Sequence, residues 1–302
     1  MTPPTLLAPL GLLWNPATAL MDRLSHPGTG SRVPATPPPD YAAGLAFHSL
    51  GHGTPVLLLH GLASSRGAFN PIFTELARRH RVIAVDLPGH GDSELPDRGE
   101  PLTPRAQAYA LGAFLDALGL DKVHVVGNSM GGWVALELAA DGRALSVTGL
   151  CPAGLWRPIP NRSPLLEFNR HAAVAFGAVG EALMLIRPLR ELVFSAALAR
   201  PDKLDYGTAR GALGAQRAAI GYDEAHDGIV GARFERAADI SSQVPVTIAF
   251  GAEDLFLPPR SAQLRHLAPQ HSRWVIMPRV GHAPMWDDPT ATVALIRSTI
   301  AG

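Results

Sequence analysis

The six residues Gly127-Asn-Ser-Met-Gly-Gly132 restrict the fold of this chain more than any other segment. They follow the apolar run Lys122-Val-His-Val-Val126, which reads as a buried strand, and precede Trp133-Val-Ala-Leu-Glu-Leu-Ala139, which reads as a helix. A strand that passes into a helix through so short a link must turn sharply, and the glycines flanking the serine allow it. Ser129 is then held at the apex of the turn and at a helix N-terminus, where free N–H groups favour developing negative charge. The chemistry suggested is nucleophilic, because a serine hydroxyl becomes reactive only when it is exposed beside a base and near oxyanion-stabilising donors.

A base and an acid that orients it are present at matching places. Pro245-Val-Thr-Ile-Ala-Phe250 reads as a strand and runs into Gly251-Ala-Glu-Asp254; Arg273-Trp-Val-Ile-Met277 reads as another and runs into Pro278-Arg-Val-Gly-His282. Serine, acid and histidine therefore each follow a strand, in the chain order of a serine hydrolase built on a parallel sheet. Upstream, Val56-Leu-Leu-Leu59 leads into His60-Gly61-Leu62, a tight turn whose N–H can face the serine beside that of Met130. Asp254 competes for the acid role with Glu253, Asp239 and Asp287, and its Gly-x-x-Asp spacing favours it.

With these turns in order, the chain resembles the α/β-hydrolase fold superfamily over residues 44–300. The motifs carrying the likeness are His60-Gly61, Asp86-Leu-Pro-Gly-His-Gly-Asp-Ser93, the serine turn, Gly251-x-x-Asp254 and Gly281-His282. The resemblance implies an α/β fold with a mostly parallel eight-stranded-type sheet flanked by helices, and a helical lid inserted after the sixth strand. It also implies roles: Ser129 nucleophile, His282 base, Asp254 its orienter, and the backbone N–H groups of Leu62 and Met130 as the oxyanion hole. His60 is expected to anchor the oxyanion turn, and Asp86 and His90 to shape a loop beside the site. His124, inside a strand, is expected to be a satisfied core histidine.

Strand and helix signals alternate from residue 44 to residue 150. Thr103–Leu118 has Pro104 in its first turn and Gly119 just past its end, an asymmetry that marks both boundaries of a helix. The alternation then breaks for about ninety residues, too long for a structureless loop in a compact domain. The expected organisation is an N-terminal extension and linker over 1–43, a core of 44–152 and 244–302, and a helical lid over 153–243. Helices are expected at 165–179, at 181–199 with a kink at Pro188, and at 208–220. Trp156, Phe168, Phe176, Met184 and Phe194 are candidates either to line a substrate pocket or to form the lid's own small core; Trp156, Phe168 and Met184 are carried forward as pocket residues.

Composition narrows the partners. The formal net charge is zero, so nothing points to nucleic acid. One cysteine, Cys151, excludes an internal disulfide framework and a cysteine-rich metal site, and it is expected to be a small buried residue at the sheet's edge. His48 and His52 stand four apart, but across a strand end and a turn rather than on a helix, so no metal site follows. With no phosphate-cradling glycine loop either, no cofactor is expected. The apolar stretch Thr5–Trp14 is interrupted by Pro9 and Gly11 and no basic residue precedes it, so an extension packed on the surface or across the lid and a cytoplasmic location are expected, with no integral membrane segment. The reading is a serine hydrolase of small molecules, foremost a carboxylic-ester hydrolase on a small or medium apolar substrate. The alternatives are a carbon–carbon hydrolase of ring-cleavage diketones, whose serine turn Gly-Asn-Ser-Met-Gly-Gly resembles, and a lyase or ligand-binding relative.

Overall fold

A computed structural model describes residues 38–302, except 97–101, 159–160 and 163. The expected N-terminal extension therefore lies outside the described residues apart from its last few. Those last few form a short strand, β1 (Asp40–Ala42), where a linker is expected. It pairs antiparallel with β2 (Leu45–Leu50), which pairs antiparallel with β4 (Arg81–Val85). The other strands, β3 (Pro55–Leu59), β5 (Val123–Asn128), β6 (Ala144–Leu150), β7 (Val246–Gly251) and β8 (Arg273–Met277), continue the sheet in parallel. The order across the eight strands is β1-β2-β4-β3-β5-β6-β7-β8.

The parallel strands are apolar at nearly every position because both of their faces are covered. Alternate residues divide between two cores. Leu57, Leu59, Ile83, Val85, Val123 and Val125 face one, with Trp133, Leu136 and Phe114. Val56, Leu58, Val82, Ala84 and Val126 face the other, with Ile72, Leu76 and Ile296. The covering helices are α1 (Asn70–Ala77), α2 (Pro104–Ala117), α3 (Met130–Ala140) and, at the chain's end, α10 (Pro289–Ala301). Thr103 caps α2 by accepting the Ala106 N–H at 3.1 Å, and Gly119 takes a left-handed φ of 68° just past it, as the sequence asymmetry implied.

Between β6 and β7 the chain forms α4 (Pro164–Leu183), α5 (Arg187–Phe194), α6 (Tyr206–Ala218) and α7 (Tyr222–Asp227). Their boundaries differ from the expected ones. Pro188 does not kink a long helix; it stands in the first turn of α5, where its missing N–H costs no bond. The break falls instead at Gly177, whose φ of 47° interrupts α4, and at residues 184–186. Two short helices, α8 (Pro259–Ala262) and α9 (Pro284–Asp287), follow β7 and β8. Among the described residues, no helix is long and apolar enough to cross a membrane.

Candidate active site

β3, β5, β6, β7 and β8 all point the same way, so the turns that follow them gather at one edge of the sheet. Ser129 links β5 to α3 with φ 55° and ψ −120°, a conformation that L-residues avoid. It is held there from several sides. Its N–H donates to Leu150 O at 3.0 Å, and its carbonyl accepts from Gly132 and Ala153, each at 2.9 Å. A side chain at Gly131 would collide with the carbonyls of Leu59 and His60, which is why the turn needs a glycine there. Met130 is the first residue of α3, so its N–H has no partner inside the helix and stays available at the turn.

The His60 turn lies against the serine: a Cβ added to Gly61 would come 3.1 Å from Ser129 Cβ and 3.6 Å from its Oγ. Leu87 N–H donates to His60 Nε2 at 2.9 Å, so the ring proton is on Nδ1, which donates to Gly61 O at 2.8 Å. Ser64 N–H reaches the same carbonyl at 3.3 Å. With the carbonyl fixed on that side, the trans peptide directs the Leu62 N–H to the other. Burial lowers the His60 pKa to about 4, against a raising bond from Gly61 and with a further lowering by Arg66, so the ring is neutral at pH 7. The neutral ring thus bridges the Gly61 carbonyl and the Leu87 N–H. Next to it, Asp86 accepts Arg66 N–H at 2.6 Å and Asp92 N–H at 2.9 Å and pairs with the Arg66 guanidinium, and Ser93 donates to the Asp86 carbonyl at 2.7 Å. These bonds shape the loop after β4.

Asp254 follows β7 and is buried. Its Oδ1 accepts Phe256 N–H at 2.9 Å and Leu257 N–H at 3.0 Å, and its Oδ2 faces His282 Nδ1 at 2.9 Å. Burial pushes this carboxyl up, but the His282 imidazole, the Leu257 amide and the Cys151 thiol together outweigh it, and the net shift is downward. An ionised Asp254 on Nδ1 leaves Nε2 as the ring's proton acceptor. The Cys151 thiol donates to Gly281 O at 3.5 Å, and its sulfur, an Asp254 oxygen and a His282 nitrogen lie within 4.8 Å of one another. Burial, and then the Asp254 charge, push the thiol well above its ordinary pKa, which makes it a neutral packing group. His124, in mid-strand, bonds Ser146 Oγ at 2.8 Å, a satisfied core histidine.

The apolar candidates separate. Trp156 is buried in the larger core, edge-on to Trp133 at 5.9 Å, with its N–H donated to Ala232 O at 2.8 Å. Met184 is buried in the other core beside Phe194 and Leu198. Both therefore have packing partners within a core. Phe168 is 70% exposed on α4. Sequence reading missed Asn128, whose amide donates to His282 O at 2.9 Å and Leu150 O at 3.0 Å. It also passed over Asp287 except as a rival acid. Asn128 occupies the variable position of the serine motif, and only the three-dimensional neighbourhood reveals its bonds.

Sheet order, strand directions and this gathering of turns define the α/β-hydrolase architecture. The chain belongs to the alpha/beta hydrolase family, whose pattern it matches over residues 56–295. An uncharacterized protein of Mycobacterium tuberculosis is 29% identical over 276 residues, 83% of this chain and 76% of its own length. A pimeloyl-acyl-carrier-protein methyl ester esterase of Neisseria meningitidis is 30% identical over 263 residues, 82% of this chain and 93% of its own. Among solved structures, a thermophilic esterase from Thermogutta terrifontis superposes with a TM-score of 0.61 at 26% identity, covering 85% of this chain and 93% of the other.

Proposed function

We propose that this protein is a serine hydrolase that cleaves carboxylic esters of a small or medium apolar substrate through an acyl-enzyme. The observation that carries the proposal is the Asp254–His282 pair, with the histidine's main-chain carbonyl bonded by Asn128, the neighbour of a strained Ser129 at the turn from β5 into α3. Ser129 Oγ attacks the ester carbonyl while His282 Nε2 takes its proton. The oxyanion is held by the N–H groups of Leu62 and Met130, a contribution of about 3 kcal/mol per donor. His282 then gives the proton to the leaving alcohol, deprotonates a water that attacks the acyl-enzyme, and returns the proton to Ser129 as the acid is released. Asp254 keeps the ring in the correct tautomer and stabilises it when protonated.

In this reading residues 44–152 and 244–302 form the catalytic core, and 153–243 form a lid over the carboxyl edge of the sheet. The esterase names of the Neisseria and Thermogutta relatives favour ester cleavage. A second reading, hydrolysis of a carbon–carbon bond in a ring-cleavage diketone, is favoured by the serine-turn sequence alone, and its His60-Gly-Leu-Ala-Ser-Ser65 turn departs from the glycine-rich form of that group. The test is hydrolysis of p-nitrophenyl esters from acetate to palmitate by the wild type and by Ser129→Ala. Activity on short or medium esters that disappears in the variant supports the proposal. Inactivity on every ester, with turnover of a vinylogous diketone, transfers the assignment to the second reading.

A further inference from the structure

The loop carrying His282 is bonded directly to the segment that closes α5. His282 N–H donates to Ala197 O at 2.7 Å, and Phe194 packs edge-on against Trp286 at 6.1 Å. At the centre lies Asp287, a buried carboxylate with no part in the chemistry proposed above. Its Oδ2 accepts Gly281 N–H at 2.7 Å and Ala199 N–H at 3.1 Å, and its Oδ1 accepts Arg200 N–H at 2.8 Å. The Arg200 guanidinium also donates to the Asp287 main-chain carbonyl. Contact is close: a Cβ on Gly281 would lie 2.9 Å from Ala199 N and 3.0 Å from Leu198 Cα.

One carboxylate thus accepts from the residue preceding His282 and from two consecutive residues of the inserted segment. Bonds to an ionised acceptor are stronger and more directional than neutral ones. We propose that Asp287 is a positioning residue that docks residues 197–200 onto the Gly281–His282 turn, so that the imidazole meets Asp254 and Ser129 in register only while this part of the insertion is seated. The proposal rests on the reading of His282 as the base. An aspartate suits the task because both oxygens accept. An asparagine of the same shape presents an NH2 to at least one of the three N–H groups and repels it.

The experiment uses the full chain, with active sites counted by stoichiometric fluorophosphonate labelling of Ser129. For Asp287→Asn, kcat per labelled site on p-nitrophenyl butyrate is expected to fall about tenfold or more with KM within about threefold, the pattern of a misplaced catalytic group. Asp287→Glu, which keeps both acceptors, is expected to recover part of that loss. If Asp287→Asn lowers the melting temperature and the number of labelled sites but leaves kcat per site unchanged, the carboxylate is only a structural clamp and the proposal fails. In the wild type, the amides of Ala199, Arg200 and Gly281 should exchange with deuterium in one opening step; independent, faster exchange at 199–200 overturns the docking even if a variant does not fold. Absence of fluorophosphonate labelling in the wild type overturns the serine-hydrolase reading instead.

Discussion

The side-chain amide of Asn128 donates to the main-chain carbonyl of His282 at 2.9 Å, joining the residue before the candidate nucleophile to the candidate base across 154 positions of sequence. The same nitrogen bonds Leu150 O, so one side chain ties the ends of β5 and β6 to the histidine loop. Asn128→Ala leaves two carbonyls without this donor, at a stability cost of about 1–3 kcal/mol. Asn128→Asp is expected to be worse than Asn128→Ala, because a carboxylate repels both carbonyls. Denaturant midpoints and kcat for the three proteins test the order; an aspartate variant as active as wild type contradicts it.

Ser129 at φ 55° reverses the usual ranking of glycine and alanine. In most sites alanine is preferred, since glycine loses more backbone freedom on folding. Here alanine inherits the strain and glycine does not, so Ser129→Gly is expected to be more stable than Ser129→Ala by about 1 kcal/mol or more. Both are expected to be inactive. Thermal or urea unfolding of the pair is the check, and the ordinary order would show that the turn is relaxed in solution.

His60 fixes the Gly61 carbonyl and thereby the direction of the Leu62 N–H. His60→Phe keeps a ring in the cavity but removes the bond to Gly61 O and leaves Leu87 N–H unmatched. If one oxyanion donor is lost, kcat is expected to drop about 100-fold while KM changes little. Equal loss in kcat and in folded protein, with normal turnover per labelled site, would deny the orienting role.

The fold was legible because covered parallel strands are apolar at most positions and because turn glycines mark where several of them end. The turns carrying Ser129, Asp254 and His282 were readable for the same reason: each follows such a strand, and their order along the chain is constrained by the sheet. The inserted segment was read less well. Its helices are set by tertiary contacts, such as Gly221 N–H on Gly89 O at 2.8 Å, rather than by local pattern, and Pro188 signals a helix start as readily as a kink. Asn128 and Asp287 act through main-chain carbonyls and amides far away in sequence. A side chain whose partners are backbone groups leaves no complementary residue to recognise.

Acid sensitivity follows from two buried imidazoles. Burial lowers His60 to about 4; burial, and then the neighbouring His60, lower His90 to about 3, against an ordinary value of 6.5. Below 6.5 the unfolded chain binds two protons that the folded chain refuses until far lower pH, so stability is complete above 6.5 and falls as the pH drops toward 4. At 1.36 kcal/mol per unit, the two rings together cost about 4 kcal/mol between pH 7 and pH 5. His80, His124 and His226 are shifted the same way and add to the slope, while Glu137, raised chiefly by burial, opposes it near its own range. Urea unfolding at intervals from pH 7 to pH 5 measures the slope directly. His90→Gln is expected to flatten it by about one proton per molecule. A wild-type curve level over this range would mean that both rings take up protons without leaving the folded state.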